Sequence, residues 1–133
     1  VALRTSKILF LLSFIPLSIC HAKEINSCYD EPYAYKVTEC FNEKIESQKE
    51  EYGKIRSKYI TEVSKMTDDY KIFVKKEKMV NTKWLKLIEE DCKMRAMSAG
   101  EEDGEAYGTA YLACTYDRYV ERTKSYKNFF ITN

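Results

Sequence analysis

Apolar residues recur at helical spacing from Tyr35 to Met66. Val37, Phe41, Ile45, Tyr52, Ile55, Tyr59 and Val63 are separated by threes, fours and one seven, and Gln48 fills the gap at the seven. That period predicts an amphipathic helix with a nearly coiled-coil seam, whose other face is Lys, Glu and Ser. Gly53 lies inside it and marks a close helix contact or a bend. Thr67-Asp68-Asp69 interrupts the pattern. Thr67 or Asp68 is placed to cap a second helix, with acid at its positive dipole end. The second seam is Tyr70, Phe73, Val74, Glu77, Val80, Trp84, Leu87, Ile88 and Met94. Two long helices joined by a short turn make antiparallel neighbours. Ser98 to Gly104 reads as a loop, and a third helix follows from about Glu105 to Asn128, using Tyr107, Tyr111, Cys114, Tyr119 and Tyr126. Asn26 to Pro32 reads as a loop, with a short helical turn after Pro32. No run alternates with the period of two that a strand requires. The expected fold is all-α, a small helical domain built on a long antiparallel hairpin plus a third helix.

The N-terminus changes the compartment. Arg4 and Lys7 precede an apolar run, Ile8 to Ile19, and Cys20-His21-Ala22 offers a cut before Lys23. This is the three-part pattern of an export signal. The run is short for a bilayer span, which needs roughly 20 apolar residues. Leu17-Ser18-Ile19-Cys20 also has the outline of a lipidation site, although Ile19 is bulky where such sites have a small residue. The expected division is a signal peptide at 1–22 and one helical domain at 23–133. Loss of Arg4 and Lys7 shifts the net charge from +1 to −1. A near-neutral domain gives no basic face for nucleic acid.

Of the five cysteines, Cys28, Cys40, Cys92 and Cys114 fall in the expected mature domain, which holds no histidine because His21 lies on the signal side. An even number of cysteines behind an export signal points to two disulfides and a periplasmic or secreted protein. It argues against a Cys/His zinc site or a Cys–His catalytic pair. Sequence proximity favours Cys28–Cys40 and Cys92–Cys114. Cys40–Cys92 stays open, because those two residues stand 26 positions either side of a turn at Met66.

The cysteine framework resembles the LprI-like lysozyme-inhibitor family of bacterial envelope proteins. Cys28 and Cys40 match its first pair. Trp84 stands eight residues before Cys92, and Gly104 and Cys114 follow. Arg122-Thr123 comes eight and nine residues after Cys114. Ile88-Glu89 stands where the family has Arg-Asp, and Gly104-Glu105-Ala106 where it has a glycine pair with Ser or Thr. The resemblance implies an exported helical domain, some of whose relatives inhibit lysozyme by stoichiometric occlusion of its cleft. The competing class is a non-inhibitory envelope interaction, immunity or adaptor protein.

Glu101, Glu102, Asp103 and Glu105 gather in one loop, and Tyr107 and Tyr111 follow one helical turn apart. These six are the expected contact patch, with acids steering a basic partner and aromatics anchoring it. Tyr29, Tyr33, Tyr35, Tyr116 and Tyr119 add to the aromatic supply. Trp84, Arg122 and Thr123 are expected to be structural, Trp84 as a core anchor and Arg122 as a tie to a carboxylate or carbonyl. The acid run lacks the alternating pattern of a calcium loop. No phosphate loop, nucleophile elbow or metal motif appears, so no enzyme activity, cofactor or metal is expected.

Overall fold

The computed structural model describes residues 26–132. The expected export signal at 1–22 and the reading of Cys20 lie outside the described residues. Four helices follow in chain order: α1 (Asn26–Tyr29), α2 (Ala34–Lys65), α3 (Tyr70–Ala96) and α4 (Glu105–Thr132). No strand occurs among the described residues, and the fold is all-α. None of these helices is long and apolar enough to cross a membrane.

The three long helices run up, down and up. Tyr52 pairs with Asn81, Arg56 with Glu77 and Tyr59 with Phe73, so α2 and α3 are antiparallel. Gln48 meets Thr123 and Tyr59 meets Phe129, so α4 runs parallel to α2. Asp91 meets Arg118 and Glu77 meets Tyr126, so α4 is antiparallel to α3. The hairpin expected from sequence exists, but α4 packs against both of its arms more extensively than they pack on each other. The cause is visible in α4 itself. From Tyr107 to Tyr116 every residue is buried or partly buried, because this stretch packs against both α2 and α3.

One ring from each long helix meets at mid-height. Tyr52, Trp84 and Tyr119 have centroids 5.3 to 5.5 Å apart. Ile88 and Tyr126 complete this core cluster, with Ile55 and Tyr59 against it. Aromatic pairs at such separations contribute roughly 0.5–1.5 kcal/mol beyond the area they bury. Thr123 locks the layer: its hydroxyl donates to the Tyr119 carbonyl at 2.8 Å and accepts from the Gln48 amide at 3.0 Å.

Several expectations are corrected. Asn26–Tyr29 is a helical turn rather than loop, and the long helix itself starts two residues after Pro32. The N-cap of α3 is Asp69, not Thr67 or Asp68, and its first turn carries no acid. Thr67 instead folds over the turn, its hydroxyl accepting from the Asp69 amide at 3.3 Å. Gly53 is exposed and a Cβ there would meet nothing within 4 Å, so it marks no close contact. The α3 seam is only partly covered: Glu77 and Ile88 are buried, whereas Tyr70, Val74, Val80, Leu87 and Met94 are exposed.

Candidate functional site

The two disulfides lie at one end of the bundle. Cys28–Cys40 fastens α1 to α2 with Cα atoms 5.5 Å apart, and Cys92–Cys114 fastens α3 to α4 with Cα atoms 5.6 Å apart. This is the pairing favoured from sequence. Cys40–Cys92 is ruled out because both residues are already bonded elsewhere. Each closed loop restricts the unfolded chain, worth about 2–4 kcal/mol.

Cys92–Cys114 also clamps the base of the acidic loop. Beyond Cys92, Ala96 is fully buried and α3 ends, with Met97 donating its amide to the Lys93 carbonyl at 3.2 Å. The chain turns back at Glu101–Gly104, where the Gly104 amide donates to the Glu101 carbonyl at 2.8 Å. The turn is tight at Gly104: a Cβ there would sit 3.0 Å from that same carbonyl oxygen, which would have to give by a few tenths of an ångström. The Gly104 carbonyl then accepts from the Gly108 amide in the first turn of α4. Glu101, Glu102, Asp103 and Glu105 are all exposed.

The tyrosines expected beside these acids divide differently. Tyr107 is only 8% exposed, and Tyr111 is partly buried. Tyr107 supplies no anchoring ring at the surface, because its own side chain is packed into the bundle. The exposed ring next to the acids is Tyr29, which shares a shallow hollow with Glu105, Val37 and Ala106. Tyr33 and Tyr35 are also exposed and stack at 5.8 Å. Tyr116 and Tyr119 are core residues.

Charge is sorted along the bundle axis. The Tyr52–Trp84–Tyr119 layer divides it. Segments 27–51 and 85–118, at the disulfide end, carry 15 acidic and 7 basic residues, a net of −8. Segments 53–83 and 120–132, at the turn end, carry 12 basic and 5 acidic residues, a net of +7. The near-zero total conceals this polarity. Asp91, at the disulfide end, is held below its usual carboxylate value by hydrogen bonds from Arg118 and Arg95. Their lengths are 2.8 and 2.9 Å.

The turn end holds a buried polar cluster. Arg56 Nε donates to Glu77 Oε1 at 2.8 Å, and the Tyr126 hydroxyl donates to the same oxygen at 3.0 Å. Burial and the bond to Glu77 raise the Tyr126 phenol above its ordinary value. Burial also raises Tyr52 and Tyr119. The Glu77 position was visible in the sequence as an acid on an apolar seam. That anomaly calls for a buried cation, and Arg56 supplies it.

Trp84 is partly buried against the core rings Tyr52 and Tyr119. Arg122 is held by rings rather than by a carboxylate: its guanidinium lies over Trp84 at 5.5 Å and Tyr126 at 5.1 Å. Its Nε is buried with no hydrogen-bond partner among the described residues. Asp91, Cys92 and Cys114 bring three potential ligand atoms within 4.8 Å of one another. Both sulfurs are spent in the disulfide, so no thiolate remains to bind a metal.

No family model, curated protein or solved structure matches this chain. The fold and surface define an all-helical, disulfide-stapled domain with oppositely charged ends.

Proposed function

We propose that this chain is an LprI-like exported inhibitor, a non-catalytic protein of the periplasm or the secreted fraction that occludes the cleft of a lysozyme. The observation that carries the reading is the acidic end. An exposed loop with three carboxyl groups, followed by Glu105 at the start of α4, projects there, clamped at its base by Cys92–Cys114, on a half-bundle of net charge −8. A basic enzyme is drawn to that end and turned toward it before contact, because opposed fields steer diffusional encounter. The clamp keeps the loop from paying a large ordering cost on binding. Glu101, Glu102, Asp103 and Glu105 steer, and the exposed Tyr29 anchors in place of the buried Tyr107. Two disulfides fit an oxidising compartment.

The test is lysis of bacterial cell walls followed by turbidity, with the purified, disulfide-intact protein in excess over a basic lysozyme. Slowed clearing that saturates at one inhibitor per enzyme supports the proposal. Unimpeded clearing with every lysozyme tried favours the alternative, an envelope adaptor or immunity protein that inhibits no lysozyme.

A further inference from the structure

One face of α3 is open along Val80, Leu87 and Met94, and is closed at its first position, where Phe73 packs on Tyr59. Phe73, Val80, Leu87 and Met94 recur every seven residues, and the last three are 48, 65 and 65% exposed. Single exposed apolar residues need no explanation, but a stripe at one position per heptad, with Lys76, Lys83 and Glu90 three residues on, outlines a half-polar helix–helix contact. A trough runs beside it between α3 and α4. Phe73 and Val80 line one part with Phe129, Leu87 and Trp84 line the next with Arg118, and Arg122 borders both.

We propose that a second copy of this chain covers the stripe, with the two α3 helices antiparallel about a two-fold axis between Lys83 and Trp84. The stripe is self-complementary in that arrangement: Val80 of one copy lies opposite Leu87 of the other, and Phe73 opposite Met94. Charge selects the same arrangement. Antiparallel pairing sets the −8 end of each copy beside the +7 end of the other, whereas parallel pairing would bring like ends together. In this register Lys76 of one copy lies opposite Asp91 of the other and one residue from Glu90, so Lys76 comes near Glu90. A contact in which the same patch serves both partners closes as a dimer. An anionic lipid surface fits only half of the stripe, because Met94 lies in the acidic half, which such a surface repels. A single-helix seam is smaller than the ~800 Å² per partner of standard stable complexes, so a weak dimer is expected.

The experiment is sedimentation equilibrium of the disulfide-intact protein up to about 100 μM, with no enzyme present, so its outcome is independent of the inhibitor reading. A dimer is expected, loosening as salt rises. Leu87→Glu, at an exposed position, is expected to weaken it about a hundredfold with an unchanged circular dichroism spectrum. Lys76→Glu is expected to weaken it about threefold to tenfold, and adding Glu90→Lys to restore it. A monomer at every concentration overturns the proposal, as does a dimer indifferent to Leu87→Glu. A Glu90→Lys addition that fails to restore the dimer overturns the antiparallel register. A monomer that binds phosphatidylglycerol vesicles through Leu87 overturns the proposal in favour of a lipid surface.

Discussion

The two ends of the bundle are held by different chemistry. The disulfide end is joined covalently at Cys28–Cys40 and Cys92–Cys114. The turn end is held by rings and by one buried ion pair: Tyr59 packs on Tyr126 at 4.8 Å and Phe129 at 5.0 Å, and Arg56 meets Glu77. The cross-linked end carries the net charge of −8 and the acidic loop, and its like charges repel one another in the folded state. A covalent link is indifferent to charge and salt, so the acidic surface can be displayed without loosening the helices beneath it. The turn end needs no such link. Its cations sit on long stems at the surface, and its one buried carboxylate is matched by Arg56 and Tyr126.

Removing the links should break the comparison most strongly. Replacing Cys92 and Cys114 by Ser is expected to lower unfolding free energy by about 3 kcal/mol in urea titration, from the entropy of a loop this long. The loss should shrink as salt is added, because screening relieves the repulsion the link was opposing. A loss that is unchanged by salt would separate the disulfide from the charge.

At the turn end the equivalent break is Arg56→Met. Leaving Glu77 buried and unpaired is expected to cost about 3 kcal/mol, and adding Glu77→Leu should recover most of it. Equal losses in the single and double variants would show that packing, not the charge, holds this end.

Gly53→Ala sharpens the comparison from its midpoint. Nothing lies within reach of the added methyl group, so helix propensity alone should raise stability, by up to about 1 kcal/mol. The gain should not depend on salt.

The smallest effects are in pH. Asp91 titrates below its ordinary 3.8 in the folded state, so its contribution is present above that value and is lost as pH falls through the lower folded one. Asp91→Asn should flatten that acid limb at the disulfide end. Tyr52, Tyr119 and Tyr126 titrate above their ordinary 10.0, so their contribution is present below pH 10 and is lost as pH rises beyond it. Ultraviolet titration should show these phenols ionising after the exposed ones. A single phenol transition in the folded protein would contradict their burial.

The period of the apolar residues located α2 and the centre of α3, and the buried positions Phe41, Ile45, Tyr52 and Ile88 lie on the expected seams. Period tells which face is apolar, but not which neighbour covers it. Val80, Leu87 and Met94 satisfied the same spacing and are exposed, because α4 covers only one flank of α3. For the same reason the sequence suggested an intimate α2–α3 hairpin, when the tyrosine-rich α4 is the helix that both arms share. Tyr107 looked like a surface ring because it follows a loop. Its burial depends on which face of α4 meets the other helices, which no local pattern announces. The acidic loop was legible from composition. The axial charge separation was not, because it exists only once α2, α3 and α4 are laid side by side.

The central claim is that the clamped acidic end is the working surface. It is tested most directly by calorimetric titration of a basic lysozyme with the native protein and with the Glu101→Ser, Glu102→Ser, Asp103→Ser variant, at low and high salt. The account predicts one-to-one binding by the native protein that weakens as salt rises, and weaker, less salt-sensitive binding by the variant. Equal affinity and equal salt dependence in the two proteins would contradict it and move the contact away from the acidic end.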